Sequence, residues 1–140
     1  MAASGIGMSM KFLNPKSWAK PKGYANGIAA RGTLVFVAGQ IGWNGAKEQF
    51  ESDDFVAQTR QALANIIAVL AESGAKPEHL VRLTWYVTDK QEYVSRLAEI
   101  GAVYREVIGR HFPTMALVQV TALVEDRAKV EIEATAVVPD

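Results

Sequence analysis

Glu131 and Glu133 alternate with Val130, Ile132 and Ala134, so a strand there would send both carboxylates out on one side. If that side were covered, at least one carboxylate would stand in a partly dry place suited to shuttling a proton. A solvated or salt-bridged pair satisfies the same spacing. Tyr24 follows Lys22-Gly23 and opens a candidate strand, where its hydroxyl would point into a cleft or straddle a sheet margin. Gly39, near the end of another candidate strand, would admit a ligand close to the backbone or relieve a bend. Trp43 and Trp85 are candidate pocket walls, or interface or core. His111, two residues before Pro113, has acid–base chemistry but no evident partner, and reads as a loop histidine.

Other chemistries lose support. The chain has no cysteine and two histidines, His79 and His111, so thiolate nucleophiles, iron–sulfur clusters and zinc sites are not expected. The phosphate-binding P-loop, the dinucleotide glycine fingerprint, the paired-histidine zinc helix, the nucleophile elbow and the EF-hand loop are absent from the sequence. No metal or organic cofactor is implied. Fifteen Lys and Arg balance fifteen Asp and Glu, for a net charge of zero, which disfavours nucleic acid or an anionic membrane as partner. Lys16, Lys20 and Lys22 read as a solvated loop.

The 140 residues predict one domain, by the usual span of about 100 to 200 residues. With 49% apolar and 21% charged residues the composition is that of a soluble globular protein. The longest apolar runs, Leu34 to Ala38 and Ile66 to Ala71, fall far short of the roughly 20 residues that cross a bilayer. Residues 1–10 lack the pattern of a secretory signal and read as a flexible leader. The missing cysteines fit a cytoplasmic protein.

The elements that must position the candidates follow from periodicity. Lys11 to Leu13 predicts a short strand. Tyr24 to Ala30 and Thr33 to Gln40 flank Arg31-Gly32 and predict a hairpin. Phe55, Thr59, Ala62, Leu63, Ile66 and Leu70 recur at helical steps, with Asp53 and Asp54 opening the helix and Gly74 stopping it. Leu80 to Val87 predicts a strand. Thr88 and Gln91 fit a capping box for a second helix, with Tyr93, Leu97, Ile100, Tyr104 and Ile108 as its buried stripe and Gly109 as its stop. Met115 to Leu123 and Val130 to Val138 predict a closing pair of strands around the turn Glu125-Asp126-Arg127.

This order predicts an α+β fold, with two helices packed on one face of a sheet. Leu34 to Ala38 is apolar at every position. Simple alternation sets Met115, Leu117 and Val137 on the side opposite Ala116, Val118, Ile132 and Ala134. Strands apolar on both sides need cover on both, and two helices supply one. Another copy of the chain is expected on the second face.

Several segments in consistent order carry a resemblance: Phe36-Val37-Ala38-Gly39-Gln40-Ile41, residues 58–65 (QTRQALAN), Tyr86-Val87-Thr88-Asp89, the Phe112-Pro113 turn and Val130-Glu131-Ile132-Glu133-Ala134. Together they resemble the Rid/YjgF family of enamine and imine deaminases, from about Tyr24 to the C-terminus. The resemblance implies a chorismate-mutase-like fold with a mixed six-stranded sheet, and a homotrimer with ligand clefts between subunits. It also implies cofactor-free hydrolysis of reactive enamines and imines, such as 2-aminoacrylate, to a keto acid and ammonia.

In the deaminating branch, an Arg in the strand after Phe-Pro forks onto the substrate carboxylate. The matching position here is Met115. Losing a charge-assisted hydrogen bond of roughly 1.5 to 3 kcal/mol should cost on the order of ten- to a hundredfold for a carboxylate substrate. Met115 offers a flexible apolar wall instead. Tyr24 resembles the cleft tyrosine, and Glu133 the glutamate that places water or shuttles a proton. The backbone at Leu117 resembles the segment whose carbonyl holds the attacking water. A serine often found before the strand-ending glycine is Ala38 here.

Two functions follow as expectations. One is an imine or enamine deaminase that disfavours small amino-acid-derived carboxylates, with Glu133 catalytic and Tyr24, Gly39, Met115 and Leu117 binding substrate. The other is a non-catalytic trimeric protein that binds a small metabolite in the same cleft. RNA cleavage, attached to some relatives, is disfavoured by the zero net charge.

Overall fold

The computed structural model describes residues 10–140; of the expected leader, 1–9 lie outside the described residues and Met10 already begins a strand. In chain order the elements are β1 (Met10–Phe12), β2 (Ile28–Ala30), β3 (Thr33–Ile41), α1 (Phe55–Ala71), a 3-10 turn (Pro77–His79), β4 (Leu80–Val87), α2 (Lys90–Ser95), α3 (Leu97–Val107), β5 (Thr114–Gln119) and β6 (Val130–Val138). The architecture is α+β with six strands, as the sequence predicts. They divide into a two-stranded pair, β1 with β2, and a four-stranded mixed sheet in the order β3-β6-β4-β5. No described helix is long and apolar enough to cross a membrane.

The predicted hairpin between β2 and β3 does not form. Gly32 has φ 141°, and a Cβ on it would stand 2.0 Å from the Val138 carbonyl oxygen, so the chain turns sharply against the end of β6. That turn sends β2 to β1 and β3 to β6. The closing strands are not neighbours either. β4 lies between them, antiparallel to β6 and parallel to β5.

α1 begins where the sequence places it. The Asp54 carboxylate accepts the Ala57 N–H at 3.0 Å and so satisfies an orphan amide of the first turn. Arg96 donates to Asp54 at 2.6 Å, and this bond, with the Ala57 amide next, holds the Asp54 carboxyl below its ordinary range. The second helix is cut in two at Arg96, which leaves helical geometry (φ −125°, ψ 29°) while its guanidinium bridges Asp54 and Glu99. Its cap is Asp89, not Thr88: the Asp89 side chain accepts the Gln91 N–H at 2.9 Å. Leu97, expected in the buried stripe, is exposed, while Ile100, Val103, Tyr104 and Ile108 are buried.

The core lies between one face of the sheet and α1 with α3. Leu63, Ile66 and Leu70 of α1 meet Leu83, Trp85 and Val87 of β4 and Val130, Ile132 and Ala136 of β6. Met115 and Leu117 pack against this same core. They share the helix-covered face with Ile132 and Ala134, contrary to the opposite-side placement that alternation alone gave. Parallel pairing of Leu83 with Met115 and Trp85 with Leu117 sets the phase. Buried Gln58 ties the loop before β6 to α1: its side chain donates to the Ser52 and Arg127 carbonyls and accepts the Lys129 N–H.

Candidate functional site

The uncovered face of the four-stranded sheet carries the first half of the site. Along β6 the buried residues Val130, Ile132, Ala134 and Ala136 alternate with Glu131, Glu133 and Thr135. Both carboxylates therefore leave on the side away from the helices, as expected. β4 contributes Arg82, Thr84 and Tyr86 to this face, and β3 contributes Leu34, Phe36 and Ala38.

Glu133 faces a β-bulge. Val37 pairs with Ala134 and Gln40 with Ile132, so Ala38 and Gly39 together oppose Glu133. A Cβ on Gly39 would stand 2.0 Å from a Glu131 carboxylate oxygen. The glycine is thus where another group comes close to the backbone, and that group is Glu131. A depression of about 450 Å³ borders Phe36, Ala38, Arg82, Thr84, Glu133 and Thr135.

Tyr86 completes the arrangement, and sequence reasoning missed it as a site residue. Its hydroxyl donates to Oε1 of Glu133 at 2.8 Å. That bond is the main reason the phenol pKa lies above its ordinary value, followed by burial and the charges of Glu133 and Glu131. The available signal was the Tyr86-Val87-Thr88-Asp89 segment with strand alternation; the missing information was that β4 lies beside β6. A Tyr–Glu pair of this kind fixes one carboxylate oxygen and leaves the other able to accept a proton from a bound water.

The second half of the site lies on the helix side, at the edge formed by β5. Ala25 N–H donates to the Pro113 carbonyl at 3.1 Å, and Ala25 bridges Thr114 in parallel. This brings Tyr24 beside Met115, with Gly23 turning the chain at φ 78°. Tyr24 and Met115 line one pocket of about 360 Å³ together with Trp85, Tyr93 and Phe112. Burial pushes the phenol pKa of Tyr93 up, and that of Tyr104 in the same wall further. Leu117 follows Met115 on the same side. The bonds from Ala25 N–H to Pro113 and from Val120 N–H to Val87 fix which backbone groups of β5 face inward. By alternation the Leu117 N–H and C=O point off the free edge.

One chain therefore brings Tyr24, Met115 and Leu117 together at an edge, and Gly39 and Glu133 together on a face, with the sheet between the two groups. Two other candidates belong to neither. Trp43 packs on Phe50 at 5.8 Å, beside the loop of Glu125, Asp126 and Arg127. His111 Nε2 lies 2.7 Å from the Leu80 carbonyl oxygen and serves to anchor its loop. Among the described residues no cluster of His, Asp and Glu is arranged to hold a metal ion.

Comparison with known proteins gives consistent results. The family model described as Endoribonuclease L-PSP matches residues 16–138. Protein DfrA of Myxococcus xanthus is 39% identical over 110 residues, which cover 76% of this chain and 77% of that protein. The 2-iminobutanoate/2-iminopropanoate deaminase of Salmonella typhimurium is 33% identical over 117 residues, covering 81% of this chain and 86% of the enzyme. A crystal structure of a conserved Rid-family protein from Yersinia pestis superposes with a TM-score of 0.82 at 31% identity, covering 94% of this chain and 100% of that one.

Proposed function

The chain belongs to the Rid/YjgF family, whose matching model carries the description Endoribonuclease L-PSP, and from that premise we propose that it hydrolyses reactive imines and enamines to a keto compound and ammonia. The reaction needs no cofactor. It takes place in a cleft between copies of the chain, assembled as a cytoplasmic homotrimer in which the edge of one copy meets the open face of the next.

The observation that carries this reading is the Tyr86–Glu133 hydrogen bond beside the Gly39 bulge. Water attacks the carbon of the protonated imine, and its proton passes to the free oxygen of Glu133. Glu133 gives that proton to the nitrogen of the tetrahedral adduct and takes up the hydroxyl proton as the carbon–nitrogen bond breaks and ammonia leaves; the proton on Glu133 is then lost to solvent. Protonated imine plus water becomes ketone, ammonia and a proton, with no electron gained or lost. Tyr86 holds the carboxylate in position, and the outward backbone groups at Leu117 orient the water.

The need for a second copy follows from two features. Glu133 and Met115 lie on opposite faces of one chain, so a small substrate touches both only where two chains meet. The open face is also apolar where it is bare: Phe36 is 72% exposed, Leu34 57% and Val118 45%. Burying such side chains is worth about 1.5 to 3 kcal/mol each.

The test is release of keto acid and ammonia from freshly generated imines of several amino acids. Turnover by the wild type that is lost in Glu133→Ala supports deamination. The apolar pocket wall of Trp85 and Met115 favours one second reading, a trimeric protein that binds a small metabolite without turning it over. Absence of turnover on every imine, with ligand binding retained, establishes that reading instead.

A further inference from the structure

We infer that Arg105, assisted by Lys22, gives the pocket beside Met115 an anion-binding end, so that it selects ligands joining a carboxylate to a large apolar or aromatic body. The inference rests on the proposed site for its location, and on the pocket's own chemistry for its content.

Arg105 and Lys22 both line the 360 Å³ pocket that holds Tyr24 and Met115. Arg105 stands one turn after Gly101 on α3, and its Nη1 lies 3.2 Å from where a Gly101 Cβ would be. The missing side chain lets the guanidinium lie back along the helix at the pocket wall. Four other basic residues, Arg60, Arg96, Arg127 and Lys129, are engaged with carboxylates; among the described residues neither Arg105 nor Lys22 is. No residue lining the pocket is acidic. Two cations left unpaired within the chain, on a wall to which its described residues bring no carboxylate, give that wall a positive local field apart from the face that carries Glu133, and a guanidinium suits a planar carboxylate.

The rest of the wall is apolar and aromatic. Trp85 is 2% exposed, and its indole N–H is the one buried side-chain polar atom without a partner among the described residues. The Tyr104 hydroxyl is already committed to the His111 carbonyl at 2.6 Å. Met115 removes the cation that the resemblance implies close to the reacting carbon, while Arg105 supplies one at a different place on the wall. An α-imino acid carries its carboxylate on the reacting carbon whatever its side chain; a ligand that puts an apolar or aromatic body between the two suits a cation set apart on the wall.

The experiment is calorimetric titration at fixed ionic strength with 3-phenylpropanoate, its uncharged amide 3-phenylpropanamide, and propanoate. Wild type is expected to bind the aromatic acid about tenfold or more tightly than the amide, the discrimination a charge-assisted hydrogen bond gives. Propanoate should bind more weakly than the aromatic acid. Arg105→Gln should abolish the preference for acid over amide and Arg105→Lys should keep part of it, with the thermal midpoint unchanged because Arg105 is exposed. Equal affinity for acid and amide, a preference that survives Arg105→Gln combined with Lys22→Gln, or no binding of either aromatic probe at millimolar concentration would overturn the inference. Turnover is not read, so a failure of deamination and a failure of this selectivity are separate results.

Discussion

The hydroxyl of Tyr86 donates to the carboxylate of Glu133 across the β4–β6 ladder, at 2.8 Å. Register explains the contact: Thr84 pairs with Glu133 and Tyr86 with Glu131, so the tyrosine is the diagonal neighbour and its length spans the difference. If this pair handles the proton, Glu133→Ala should lower turnover of imines by on the order of a hundredfold or more. Tyr86→Phe keeps the carboxylate and loses only its positioning bond, so a drop nearer tenfold in kcat is expected. Steady-state ammonia release measures both. Equal losses would mean that Tyr86 does more than position, and no loss in Glu133→Ala would remove the proposed mechanism.

On the proposed function, position 115 sets substrate preference. Wild type is expected to turn over 2-aminoacrylate weakly or not at all, and Met115→Arg should raise kcat/KM for it by about tenfold or more through a forked contact with the carboxylate. Robust wild-type activity on that substrate would contradict the role given to Met115.

Two glycines separate site from scaffold. At Gly39 an added methyl meets the Glu131 carboxyl group, whose flexible arm can move; at Gly42 it meets the Gln58 backbone at 2.5 to 2.6 Å. Gly42→Ala should therefore destabilise by about 1 to 3 kcal/mol, as overpacking does. Gly39→Ala should cost less in stability and instead alter activity by displacing Glu131. Denaturant unfolding of the two variants decides the order.

Much of this was legible in the sequence. The β4 boundaries, the opening of α1 beside Asp53 and Asp54 and the stop at Gly74, where φ is 74°, follow from local patterns and are where they should be. The segment QTRQALAN carried family resemblance for a structural reason: Gln58 and Asn65 satisfy loop backbone, Asn65 donating to the Ile41 and Trp43 carbonyls. What was not legible depends on long-range pairing. Alternation assigns faces within a strand but not the phase between strands, so Met115 was placed on the wrong side of the sheet relative to Ile132. The break at Arg96 likewise answers to an ion pair with Asp54, 42 positions away.

The Asp54 cap has a pH signature. A carboxyl held below its ordinary value of 3.8 stabilises the fold above that value, and the contribution fades as pH falls through the lower folded one. Asp54→Ala should cost about 1 kcal/mol at neutral pH as a lost cap, and less in strong acid. Asp54→Asn keeps the cap and loses the Arg96 pair, so it should sit between the two. Unfolding midpoints at pH 7 and in acid check this; a pH-independent difference would contradict it.

The claim on which the chemistry depends is that copies of the chain meet over Phe36 and enclose the site. Sedimentation equilibrium at micromolar concentration tests it directly, with wild type compared to Phe36→Asp. The expected result is three times the mass of one chain for wild type, and a single chain without deaminase activity for Phe36→Asp. A wild type that sediments as a well-behaved single chain, or a single-chain Phe36→Asp that keeps full turnover, would contradict it.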